Sequence, residues 1–282
     1  MLATLLIHCA DQPGIIHAVT GCIQGQGGNV VYLDQHVEKE AGVFFMRLEA
    51  EFENREGQAD TLNRAFSEGP AARFSMQWEI SLQAPVRMAL FVSRYNHCLY
   101  DLLCRYEAGE LNAAIPFILS NHPDCGPIAA QFGIPYFHIA VHPDRKSEAA
   151  AEQLRLLEEH GVDCIVLARY MQIIDPKLID RYPNRIINIH HSFLPAFAGA
   201  KPYHAAFRRG VKIIGATSHY VTEALDEGPI IAQDVTPVSH THSVTDLIAK
   251  GRDLEKMVLA RAVQLHLNRK TLVYGNKTVI FA

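Results

Sequence analysis

Hydrophobic and polar positions follow two textures along the chain. Over residues 1–83 the apolar positions alternate. In Phe44–Phe52, Phe44, Met46, Leu48, Ala50 and Phe52 fall on one side, and Arg47, Glu49 and Glu51 on the other. Met76, Trp78, Ile80 and Leu82 alternate in the same way with Ser75, Gln77, Glu79 and Ser81. A period of two marks strands with one covered face. Further strands are predicted over Thr4–Cys9 and Asn29–Glu38. Between them, Ile15, Val19 and Ile23 recur at helical spacing after the turn Asp11-Gln12-Pro13-Gly14, and Gly25, Gly27 and Gly28 stop that helix. A second helix is predicted over Glu56–Glu68. The order β-α-β-β-α-β is the ferredoxin-like arrangement, a sheet with helices on one face.

The texture changes after Gln83-Ala84-Pro85. Met88–Val92, Ile115–Leu119, Cys164–Ala168 and Ile186–Ile189 are unbroken apolar runs, separated by helical patterns at His97–Tyr106, Ser147–His160 and Pro176–Arg181. Runs without a polar face are strands buried on both sides, which predicts a doubly wound, mostly parallel sheet. Gly215–Tyr220 and Ile230–Val235 read as further strands, Val244–Leu267 as a long helix, and Leu272–Phe281 as a hairpin around Gly275-Asn276. The predicted fold class is therefore α/β, with a small α+β domain at 1–83 and a doubly wound domain at 84–282.

Composition narrows the classes of function. The 282 residues are 49% hydrophobic and 20% charged, enough for two domain cores. The net charge is −4 and the 26 basic residues are scattered, so no nucleic-acid partner is expected. No stretch approaches the roughly 18 apolar residues of a membrane helix, and the first residues read as a strand rather than a leader. Six cysteines form no Cys-x-x-Cys pair, which suits reduced thiols in a cytoplasmic protein.

The candidate chemistry lies at the end of a buried strand. In Ile186–His190, Asn188 and His190 stand at i and i+2 and so project to one face. Ligands of parallel sheets bind beyond such carboxyl ends. The Asn-x-His spacing alone fits a satisfied core histidine and a loop-anchoring amide as well as it fits a site. Downstream, Thr222 and Asp226 share a face if Val221–Asp226 is helical. A carboxylate beside an amide and an imidazole can stabilise an oxyanion and move protons, which suits attack on a small carbonyl. His190-His191 and His240-x-His242 invite a zinc reading. However, adjacent strand histidines point apart and the second pair has no spaced partner, so no metal is expected.

The runs Asn188-Ile189-His190-x-Ser192-x-Leu194-Pro195 and His219-Tyr220-Val221-Thr222-x-x-Leu225-Asp226-x-Gly228-Pro229 resemble the signature of the folate-dependent formyltransferase family, over roughly residues 86–282. The resemblance implies that Asn188, His190 and Asp226 are catalytic. It implies that Met171, Gln172, Ile173 and Ile174 line a pocket whose backbone reads a pterin, and that His219 and Thr222 support the carboxylate. Val92–Cys98 departs from the nucleotide-binding members, which carry a glycine-rich phosphate loop there; this stretch has no glycine.

The start Asp11-Gln12-Pro13-Gly14-Ile15 and the order of elements around it resemble an ACT domain. That combination is similar to the hydrolytic branch of the family, in which water accepts the formyl group. It implies hydrolysis of 10-formyltetrahydrofolate to formate and tetrahydrofolate, supplying formate for purine synthesis and balancing the one-carbon pool. Folate is then a substrate and no cofactor is expected; transfer to an amine is the alternative. The ACT resemblance implies a small amino acid such as glycine or methionine at Asp11, Pro13 and Gly14, with Asn29 and Val30 nearby, and pairing into a homodimer or homotetramer. Several residues keep two readings. Arg169 is an exposed arginine or meets the folate's glutamate tail. His191 packs or touches substrate. Lys201 is a solvated loop lysine or a neighbour of the site. Cys98 opens a helix, where a thiol pKa falls. An acceptor channel plugged by Tyr95, His97 or a partner subunit is the expected source of specificity for water.

Overall fold

The computed structural model describes residues 1–53, 57–196 and 202–281. Contacts divide it into two units, Met1–Ala84 with Phe281–Ala282, and Pro85–Ile280.

The first unit has strands β1 (Leu2–Ala10), β2 (Asn29–Glu38), β3 (Val43–Glu51) and β4 (Gln77–Leu82), and helices α1 (Ile15–Gly25) and α2 (Gln58–Phe66). The predicted start of the second helix, Glu56, lies outside the described residues. Its far end runs on through a π-helical turn, Ser67–Ala71, into a last turn, α3 (Ala72–Phe74). Gly69 and Pro70 disguise this continuation in the sequence. The antiparallel sheet has the order β2-β3-β1-β4. Ile15, Val19, Ile23, Leu62 and Phe66 bury the helices' apolar faces with Phe44, Met46, Leu48 and Ala50. The opposite face is less open than its alternation predicts. Phe45 is buried and stacks on His8 at 6.0 Å, while Arg47 is buried, pairs with Glu49 at 2.5 Å and lies over the Tyr32 ring.

The second unit begins with β5 (Val86–Val92), α4 (His97–Glu107), β6 (Ala113–Ala114), β7 (Ile118–Ser120), α5 (Gly126–Gln131) and β8 (Tyr136–His138). It continues with α6 (Lys146–Glu159), β9 (Cys164–Leu167), α7 (Pro176–Arg181), β10 (Ile186–His190) and α8 (Pro202–Arg209). The last elements are β11 (Ile213–Tyr220), β12 (Ile230–Pro237), α9 (Val244–Leu267) and the hairpin β13 (Thr271–Tyr274) and β14 (Lys277–Ile280). The main sheet has the order β12-β11-β10-β9-β5-β7-β8. It is parallel from β8 to β10 and antiparallel from β10 to β12. From β5 the chain adds β7 and β8 on one side, then β9 and β10 on the other. The switch point, where such sheets open a crevice, is therefore between β5 and β9.

Candidate active site

Asn188 and His190 end β10, and Asp226 reaches them from the connection between β11 and β12. That connection is a turn rather than the short helix the sequence allowed, so Thr222 and Asp226 share no helical face. Thr222 instead donates from Oγ1 to the Ala224 carbonyl at 3.1 Å. Asp226 has φ 58, in the left-handed region. The turn closes tightly, because a Cβ on Gly228 would stand 1.8 Å from the Tyr220 carbonyl oxygen.

His190 Nδ1 lies 3.1 Å from Asp226 Oδ2. His190 Nε2 is buried with no hydrogen-bond partner among the described residues. His219 stands opposite Asn188 across the β10–β11 ladder. Its Nδ1 donates to the Tyr220 carbonyl at 2.8 Å, and its Nε2 lies 3.2 Å from Asn188 Nδ2 and 3.7 Å from Asp226 Oδ1. The hydrogen bond from His190, and then the approach of His219, hold the Asp226 carboxyl far below the usual carboxylate range despite partial burial. The four side chains form one connected set of an amide, two imidazoles and an ionised carboxylate.

The set opens into a cavity of about 380 Å³ lined by Leu167, Tyr170, Met171–Ile174, Asn188, His190 and Val221–Asp226. Every residue the sequence pointed to for substrate contact is on this wall. The β9 end of the wall is pinned by Ser93. Its Oγ accepts from Met171 N at 3.0 Å and donates to Asn121 Oδ1 at 2.6 Å.

Other sequence readings need correction. Arg169 is not an exposed arginine, although it lines the cavity. It is 9% exposed, has φ 65, stands 3.4 Å from Glu255 and lies over the Tyr95 ring. Burial, and then the Glu255 charge, push the Cys98 thiol well up, opposite to its helix-start expectation. His190 and His191 do not diverge, because His191 falls beyond the strand and its ring lies 5.2 Å from that of His190. Lys201 lies outside the described residues.

In the first unit, Asp11, Pro13 and Gly14 follow β1, while Asn29 and Val30 begin β2. Within one chain these are not neighbours. Ala10 and Glu38 both pair with Val43, whereas Leu2 and Asn29 both pair with Glu51. The two groups therefore sit at opposite ends of strands roughly 26 Å long at about 3.3 Å per residue.

Glu255 is the functional candidate the sequence reading missed. It lies on α9, 1% exposed, where Leu247, Gly251, Leu254, Val258 and Ala262 mark the buried face. A charge on that stripe is the signal that would have found it. His97 Nε2 lies 2.8 Å from its Oε2, and the Tyr203 hydroxyl donates to its Oε1 at 2.6 Å. Burial pushes this carboxyl up, but His97, Arg169 and Tyr203 together bring it below its ordinary value. His97, Cys98 and Glu255 are the one set of potential metal donors close together among the described residues. With Arg169 on its carboxylate and a protonated thiol beside it, the set is an internal ion pair by chemistry.

A mostly parallel switch-point sheet with an amide–imidazole–carboxylate set at the end of β10 defines a class, the α/β formyl-transfer domains. Residues 86–263 match the formyl transferase family model, and residues 3–65 match that of the ACT domain. The formyltetrahydrofolate deformylase of Synechocystis is 50% identical over 284 residues, covering 100% of this chain and 99% of its own. That of Bacillus subtilis is 45% identical, covering 98% and 93%. The crystal structure of the Pseudomonas syringae deformylase superposes with a TM-score of 0.96 at 46% identity, covering 100% of this chain and 94% of that one. The chain belongs to the formyltetrahydrofolate deformylase family.

Proposed function

We propose that the protein hydrolyses 10-formyltetrahydrofolate to formate and tetrahydrofolate through Asn188, His190 and Asp226. The reading rests above all on the meeting of these three side chains at the mouth of a folate-sized cavity. The pterin lies against Met171–Ile174, which brings the formyl group to the end of β10. Water attacks the formyl carbon. The second N–H of Asn188 donates to the developing oxyanion. The carbon–N10 bond then breaks, and N10 takes a proton from His190 Nε2. Asp226 orients the water and takes the proton that the water loses, passing it on to solvent, with His219 and Thr222 supporting its loop. The formate released would supply purine synthesis and balance the one-carbon pool.

The decisive assay is formate release with no amine present. Steady release is expected, and Asp226→Asn should lower kcat by about 10²–10³-fold. No release without an amine, but consumption once one is supplied, would make the protein a transferase.

The domain at 1–83 is read as a regulatory ACT domain that binds glycine, methionine or a similar amino acid, and the domain at 84–282 as catalytic. The separation of Asp11, Pro13 and Gly14 from Asn29 and Val30 fits a ligand held between two copies, in a homodimer or homotetramer. Turnover and Tm that stay constant across the common amino acids would count against this. The six cysteines are free thiols, which fits a reducing cytoplasm and a cytoplasmic fraction for the native activity.

A further inference from the structure

The crevice between β5 and β9 is where this topology would take a second ligand, and here it is filled. Ser93 N donates to the Arg169 carbonyl at 3.3 Å, tying the two strand ends together. In front of them stand Arg169 and Glu255 at 3.4 Å, His97 and Glu255 at 2.8 Å, and Tyr203 and Glu255 at 2.6 Å, with Tyr95 stacked on the guanidinium. His97 is the first residue of α4. The helix start that would face an anionic ligand thus gives its imidazole to an internal carboxylate. Gly251, one turn before Glu255, has no side chain where Tyr203 passes; a Cβ there would stand 2.1 Å from the hydroxyl. The cluster adjoins the reaction centre. Arg169 and His191 line the same cavity as His190, and the His191 ring lies 5.9 Å from that of Tyr203.

We propose that the ion-paired cluster of Glu255, Arg169, His97 and Tyr203 occupies the place of the second substrate and so restricts the formyl acceptor to water. The inference rests on the hydrolase reading above. Folate holds one side of the formyl carbon, and this cluster holds the side from which an amine would approach. Three side chains converging on one buried carboxylate also resist displacement better than an apolar plug, because parting them leaves that charge unmatched. With the plug removed, a primary amine can attack in place of water. The carbon–N10 bond breaks, a carbon–nitrogen bond to the amine forms, and the amine's proton passes to N10.

The experiment is the partition of the formyl group between water and glycinamide, read as N-formylglycinamide against formate at equal folate consumption. This ratio separates acceptor choice from turnover, because a variant that is merely damaged loses both products together. Wild type should give formate alone. Tyr203→Ala should give N-formylglycinamide at least about tenfold above the detection limit, and Tyr203→Phe, which keeps the ring, should return to formate alone. An active Tyr203→Ala with an unchanged ratio overturns the proposal. A size series on the wild-type enzyme holds even if that variant does not fold. Hydroxylamine, close to water in size, should capture some formyl group, whereas capture of glycinamide by the wild type would overturn the plug. Absence of formate release from the wild type without any amine would instead overturn the hydrolase reading.

Discussion

A side chain at residue 228 would collide with the same carbonyl that accepts the His219 Nδ1 proton. Gly228→Ala therefore has to move either the turn carrying Asp226 or the end of β11. The expected result is a loss of at least about 2 kcal/mol in urea unfolding, together with a fall in kcat, since His219 and Asp226 shift together. An alanine variant with wild-type Tm and turnover would show that the connection is slack. At this scale the sequence was legible where chemistry is local. Asn188 and His190 could be placed on one face from a period of two. Glu255 and Arg169 could not be paired from the sequence, because 86 positions separate them and only the tertiary fold brings them together.

The long helix α9 was predicted with its observed limits, and its ends carry the reason. Ser243 accepts from the Asp246 N–H, and Asp246 accepts from the Ser243 N–H, a reciprocal capping box. Ser243→Ala should cost about 1 kcal/mol in denaturant unfolding and leave kcat nearly unchanged, because Glu255 lies three turns further along. Helix α7 was equally clear, with Pro176 in its first turn and an Asp175 cap that accepts from Lys177 N. Short elements were lost. Strand β8 is three residues long and half-exposed, α5 is six residues long, and α8 abuts residues outside the described structure. The i, i+4 spacing of Thr222 and Asp226 allows a turn or a short helix in the connection carrying Asp226. The left-handed φ of Asp226 excludes the helix, and spacing alone carries no sign of it.

Stability of the whole molecule is tied to acid through one buried histidine. His266 Nδ1 shares a hydrogen bond with the Tyr220 hydroxyl, which also meets Thr271 Oγ1, each at 2.8 Å. Burial first, and then the charges of Arg269 and Arg185, push the imidazole down to about 3. The unfolded chain takes up this proton near pH 6.5, whereas the folded chain takes it up only near pH 3. Between those values the unfolded state binds more protons, so stability falls as pH drops from about 6.5. The loss from this group approaches on the order of 4 kcal/mol near pH 3. Asp226 adds to it below about pH 4, because its folded carboxyl is held low and its contribution disappears as it protonates. Urea midpoints measured from pH 7.5 to 4.5 should decline, and His266→Gln should flatten the decline above pH 4.5. An equal slope in the variant would place the acid sensitivity elsewhere.

The filled crevice between β5 and β9 also bears on how such an enzyme is governed. A transferase idles when its acceptor runs short, so scarcity of one metabolite protects the other. A catalyst whose second reactant is the solvent has no such brake. Its throughput follows folate occupancy alone. Restraint then has to come from a part of the chain with no task in the chemistry. The β2-β3-β1-β4 unit, which supplies none of the site's side chains, is the part free to provide it.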